Sequence, residues 1–101
     1  GDRSVQGRVR KLQGPLPPST RLDPDEIVVA SGTDRTFADA IQRAGGLIVG
    51  QGDLNSHGAL LALELGVPAI VGVGQAAVDA LQDGQEITLD APRGLIYERY
   101  L

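Results

Sequence analysis

The chain has no cysteine, no methionine and no tryptophan, and its 101 residues include one histidine, His57. Without cysteine, no disulfide and no thiolate metal site can form. With one histidine, the usual nitrogen and sulfur ligands of zinc cannot be assembled, and no metal site is expected. Aromatic residues amount to 3%, too few for a surface that stacks nucleic-acid bases. The core must therefore be built from Val, Ile, Leu and Ala. The net charge of −4 argues against a nucleic-acid partner, because phosphate-backbone binding needs a basic surface. No apolar run reaches the ~20 residues of a membrane-spanning helix, and no signal-peptide pattern is visible. No membrane partner and a cytoplasmic location are the expectations. The lack of methionine even at position 1 points to a piece of a longer or processed chain.

What is present reads as one α/β domain over residues 1–101, with 42% hydrophobic and 22% charged residues, an ordinary globular balance. SVQGRVRKL alternates at Val5, Gly7 and Val9, which predicts a strand with one exposed face. Arg3, Arg8 and Arg10 fit that solvated face. QGPLPPSTRLDPDE carries four prolines from Pro15 to Pro24 and must be a loop. EIVVAS, a short β-branched run, predicts a strand covered on both faces. Asp34 or Thr36 can cap a helix over TFADAIQRA, where Phe37, Ala40, Ile41 and Ala44 form one apolar stripe. Gly45 and Gly46 are expected to stop it in a left-handed cap. GLIVG and AIVGVG predict two further buried strands, with a helix over 56–65 between them that ends at Gly66. QAAVDALQDG predicts a short helix. QEITLDAPRGLIYERY predicts a hairpin that turns at Ala91-Pro92-Arg93-Gly94. Alternating strands and helices imply a central, partly parallel sheet with flanking helices and an outer antiparallel hairpin.

His57 stands in the first turn of the 56–65 helix, where Asn55 or Ser56 is a suitable N-cap. Leu60, Leu61, Leu63 and Leu65 make that helix apolar nearly all round, which predicts burial. The free N–H groups and the positive dipole end of its first turn favour an anion by roughly 0.3–1 kcal/mol. Gly52 and Gly58 leave room beside the imidazole. A neutral imidazole is a nucleophile and a phosphorylated one is an anion, so these residue types suit a phosphorylatable histidine. They equally suit a polar side chain at a surface. Adjacent Ser56 and His57 make a poor nucleophile and base pair.

Ser56-His57 after a glycine-containing loop, the apolar helix, and Leu65-Gly66-Val67-Pro68-Ala69-Ile70-Val71-Gly72 resemble the swivelling phosphohistidine domain of phosphoenolpyruvate (PEP)-utilising enzymes. Gly7-x-Val9, Thr33-Asp34, and Asp83-Gly84 ahead of Thr88-Leu89-Asp90 and Gly94 stand in the same order, so the resemblance covers nearly the whole chain. The stretches Asp83–Ala91 and Arg93–Tyr97 are similar to the extra C-terminal domain of Bacillus-type pyruvate kinases. The resemblance implies a compact swivelling β/β/α fold whose histidine shuttles a phosphoryl group between two remote sites. It implies His57 as the phosphoryl acceptor, with Asn55, Ser56, Gly58, Ala59 and Thr33 as anion-binding neighbours.

The family pattern Gly-Gly-x-Thr-Ser-His-Ala-Ala is altered here to Asp53, Asn55 and Gly58 at three positions, and Leu63 stands in place of a helix arginine. Asp53 brings like charge towards a phosphate, and Leu63 removes a cationic partner. The expectation is a structural or regulatory C-terminal domain of a pyruvate kinase with an anion pocket around His57. The alternative is a phosphohistidine carrier of PEP synthase or pyruvate phosphate dikinase type. The expected partners are the rest of a homo-oligomeric parent enzyme and a phosphate or phosphometabolite. No cofactor is expected in this domain, with Mg2+ and K+ belonging to the parent, and the isolated domain is expected to be inactive.

Overall fold

Val5, Gly7 and Val9 point to the protected side of β1 (Ser4–Lys11), while Ser4, Gln6 and Arg8 are exposed. This is the alternation read from the sequence. The structure is a computed structural model of the chain and describes residues 4–53 and 55–101. Arg3 of the expected basic face lies outside them. On that face Arg8 pairs with Asp25 at 2.9 Å and Arg10 with Glu26 at 3.2 Å.

β1 is followed by β2 (Glu26–Ala30), α1 (Phe37–Ile41), β3 (Gly46–Val49), α2 (His57–Leu65), β4 (Ala69–Val71), α3 (Gln75–Ala80), β5 (Glu86–Asp90) and β6 (Leu95–Tyr97). The strands form one mixed six-stranded sheet in the order β4-β3-β2-β1-β5-β6. β1 to β4 run parallel, and β5 and β6 pair antiparallel. The sheet curls far towards closure. Ala69–Val71 at one edge and Ala91 and Gly94 beside the other line a single apolar groove with α2.

The β-branched run of β2 explains the two-sided core. Ile27 and Val29 face one side with Val9, Ile48, Ile87 and Leu89, under Val78 of α3 and Leu81. Val28 and Ala30 face the other side with Leu47 and Val49, under Phe37, Ala40 and Ile41 of α1 and Ala62 of α2. The proline-rich segment 12–25 is a loop, as its residues require. Its Leu16 and Leu22 are buried and close the end of the second cluster.

Four expectations need correction. Helix α1 covers five residues, and the turn beyond it is tighter, with Arg43 and Ala44 N–H bonding Ala40 and Ile41 C=O. Neither Gly45 nor Gly46 has positive φ. Gly45 is needed because a side chain there would strike the Pro24 carbonyl, and its N–H continues onto Glu26 O at 2.8 Å. Helix α2 is not buried all round: only Gly58 and Ala62 are fully covered, while Leu60 and Leu63 are 52% and 71% exposed. Gly58 and Ala62 seat it on the sheet with Leu61 and Leu65 packed partly buried beside them, so Leu60 and Leu63 face outwards. β4 is a half-buried three-residue edge strand rather than a buried one. The left-handed Gly66 cap (φ 71°) and the turn closed by Gly94 N–H on Ala91 O at 3.2 Å agree with the sequence reading. Among the described residues no helix is long and apolar enough to cross a membrane.

Phe37 is 0% exposed, so Phe37→Ala is expected to destabilise the chain by about 3–5 kcal/mol. Leu63→Ala, on the open face of α2, should stay within about 0.5 kcal/mol of the parent. Urea unfolding measures both, and similar losses at the two positions would contradict this placement of the core.

Candidate functional site

β2 and β3 are parallel neighbours, with Ala30 opposite Val49. Their C-terminal ends therefore release two loops side by side. The pairing continues past the strands, with Gly50 N–H on Ala30 O and Gln51 N–H on Ser31 O, each at 2.9 Å. The loop after β2 carries Thr33, and the loop after β3 leads into α2. Thr33 Oγ1 lies 2.8 Å from His57 Nδ1, so two residues 24 apart in sequence meet through the register of two strands. His57 is otherwise exposed, and among the described residues its Nε2 has no protein partner. The hydroxyl can donate to Nδ1 or accept from Nδ1–H, and the second arrangement leaves Nε2 with a free lone pair.

The loop before His57 is built on backbone needs. Gly52 has φ +104°, and a Cβ there would also come within 2.6 Å of Ser56 Oγ. Gly72, at φ +77°, packs so that its own Cβ would meet Gly52 O at 2.7 Å. Asp53 closes a local turn: its carboxylate Oδ1 accepts the Asn55 N–H at 2.8 Å. Its carbonyl accepts both the Ser56 N–H at 3.1 Å and the Ser56 hydroxyl at 2.7 Å. Asp53 therefore has a structural use, an Asx-type turn.

Ser56 occupies the N-cap position but makes no side-chain cap bond, because its hydroxyl is turned back to Asp53. The expected capping by Asn55 or Ser56 is thus not made, and the N–H groups of Gly58 and Ala59 are not taken up by the cap. Asn55 is exposed and is held in this loop by its backbone. Gly58 is buried against Thr33: a Cβ would lie 3.2 Å from Thr33 Oγ1 and 3.3 Å from Val49 Cγ2. An alanine there would press on the hydroxyl that holds the imidazole, and glycine relieves that contact. Of the expected site residues, the structure brings Thr33, His57 and Gly58 together, with Ser56 adjoining. Ala59 is half-buried and turned towards the apolar groove beside β4.

Residues 22–94 match the family described as PEP-utilising enzyme, mobile domain. The chain belongs to this family. It is 48% identical over 71 residues to a pyruvate kinase of Sporosarcina psychrophila, which covers 70% of this chain and 12% of that protein. It is 34% identical over 98 residues to a pyruvate kinase of Bacillus licheniformis, covering 97% of the chain and 17% of the relative. A phosphoenolpyruvate synthase of Aeropyrum pernix is 31% identical over 93 residues, covering 92% of the chain and 11% of that enzyme. The chain thus spans less than a fifth of the length of these relatives. The fold is also that of an Enzyme I (nEIt) solution structure, with a TM-score of 0.65 and 23% identity over 80% of this chain and 33% of that one.

The sequence did not reveal a polar cavity of about 550 Å³ whose wall includes Thr33. Its lining comes from three separate segments, the end of β1 and the residues after it, the end of β2 and the residues after it, and α3, and no spacing rule joins them.

Thr33→Val removes the one side-chain bond to Nδ1. The ring 15N shifts of His57 are then expected to move towards an even tautomer mixture with the fold intact. Unchanged ring shifts would show that Thr33 does not orient the imidazole.

Proposed function

We propose that this chain is the PEP-utiliser-like C-terminal unit of a pyruvate kinase, with a structural or regulatory role. Around His57 it offers a pocket for a phosphate or phosphometabolite. The observation that carries the reading is the alignment of 97% of the chain with a pyruvate kinase, taken together with the site itself. The backbone N–H groups of residues 57–59 supply donors at the start of α2, together with either the Thr33 hydroxyl or the His57 Nε2–H, according to which way the bond between them runs, and this suits an anion. No cationic side chain is bonded to the imidazole among the described residues, and Asp53 contributes a carboxylate to the same loop. A transferring phosphohistidine would need charge-assisted partners at the phosphoryl oxygens. The rest of the parent enzyme, which we take to be a cytoplasmic homo-oligomer, would perform the kinase reaction. Its Mg2+ and K+ would be held there.

The phosphohistidine-carrier reading keeps one specific observation in its favour, the bond that fixes Nδ1 and leaves Nε2 outward. In that chemistry Nε2 attacks the phosphorus of PEP and an N–P bond forms. The bridging P–O bond breaks, and the enolate leaves and takes a proton to give pyruvate. The imidazole then carries the phosphoryl group to its acceptor.

Two measurements test the proposal. Inorganic phosphate titrated into the chain is expected to shift the amides of Ser56–Ala59 saturably, and no shift there would remove the pocket. In the parent enzyme, His57→Ala is expected to leave kcat for PEP and ADP within about twofold. A loss of about a hundredfold or more would place His57 in the reaction itself.

A further inference from the structure

The cavity beside Thr33 opens at the C-terminal ends of β1 and β2, the end of a parallel sheet at which α/β proteins hold ligands. Its volume of about 550 Å³ falls within the range of small-molecule sites. Its lining is chiefly polar: Lys11 and Gln13 follow from β1, Ser31 and Asp34 from β2, and Gln75 and Asp79 from α3. Among the described residues no aromatic side chain lines it.

The carboxylates are only half committed. Asp34 Oδ1 accepts the N–H and the hydroxyl of Thr36, and Asp79 Oδ1 accepts the Gln75 amide at 2.8 Å. Among the described residues the Oδ2 atom of each has no partner, and Lys11 Nζ has no ion pair. Gly14 makes room for this arrangement, since a side chain on it would collide with Asp34 Oδ2.

We propose that this cavity is a binding site for a small, neutral, polyhydroxylated molecule. A hydroxyl both donates and accepts, so it satisfies the free carboxylate oxygens, the ammonium and the two amides at once. An anion would meet Asp34 and Asp79, and a cation would meet Lys11. An apolar or flat aromatic ligand would leave these polar groups desolvated without partners, which is costly. Thr33 lies on the cavity wall and also holds His57, so occupancy is read at the imidazole as well.

The test is an amide and imidazole NMR titration of the chain with xylitol. Saturable shifts are expected at Gln13, Ser31–Asp34 and Gln75, with a smaller change at the His57 ring and a Kd on the order of 1 mM. Asp79→Asn, on an exposed helix position, should weaken binding about tenfold while the remaining spectrum stays unchanged. Lys11→Met provides a second, independent variant with the same expected direction. Shifts that fail to saturate, that spread over the whole surface, or that are unaffected by both variants would overturn the proposal. Inorganic phosphate separates this site from the pocket proposed above, since its shifts are expected at Ser56–Ala59 and not at Gln13 or Gln75.

Discussion

The parallel pairing of β2 with β3 is the constraint on which the site depends. With Ala30 opposite Val49, the two loops that leave these strands begin at the same level and on the same side of the sheet. A slip of one residue would turn Val28 and Ala30 from one core cluster into the other. It would also carry Thr33 away from His57. Burial on both faces of the sheet therefore sets the register, and the register places the threonine hydroxyl on the imidazole. The chemistry at the surface is positioned by apolar side chains that never touch it.

Around that bond, each small residue has a steric reason. Gly52 and Gly72 let the loop after β3 and the loop after β4 pass within contact of one another. Gly58 keeps the first turn of α2 off Thr33. The substitutions that separate this loop from the family pattern are coherent in the same terms. Asp53 takes over the shaping of the turn with its carboxylate, and Ser56 commits its hydroxyl to that turn instead of to the helix end. The result is an ordered histidine at a helix start with N–H donors to spare, but with a carboxylate in the loop and an exposed leucine along α2 where a phosphoryl carrier would favour a cation.

Much of this was legible in the residues. The β-branched run Ile27–Val29 announced a strand covered on both faces, and Pro15–Pro24 excluded everything but a loop. Gly66 and Gly94 marked a helix end and a turn that the backbone confirms. The burial of α2 is less complete than its leucines imply, because Leu60 and Leu63 face solvent. Composition cannot say which side of an apolar helix meets the sheet, and here Gly58 and Ala62 make the closest contact, flanked by the partly buried Leu61 and Leu65. Ser56 does stand at the N-cap, but its hydroxyl has two acceptable uses, and only the turn geometry at Asp53 decides between them. The contact between Thr33 and His57, and the polar cavity behind it, depend on strand register. Single-sequence patterning carries no direct signal of that.

The central question is whether His57 holds an anion or accepts a phosphoryl group covalently. The most direct measurement is incubation of the parent enzyme with phosphoenolpyruvate labelled in its phosphoryl group, followed by a search for acid-labile, alkali-stable label on this chain. The predicted result is none above the level seen in His57→Ala. Stoichiometric label that disappears in His57→Ala would contradict it and establish the chain as a phosphoryl carrier.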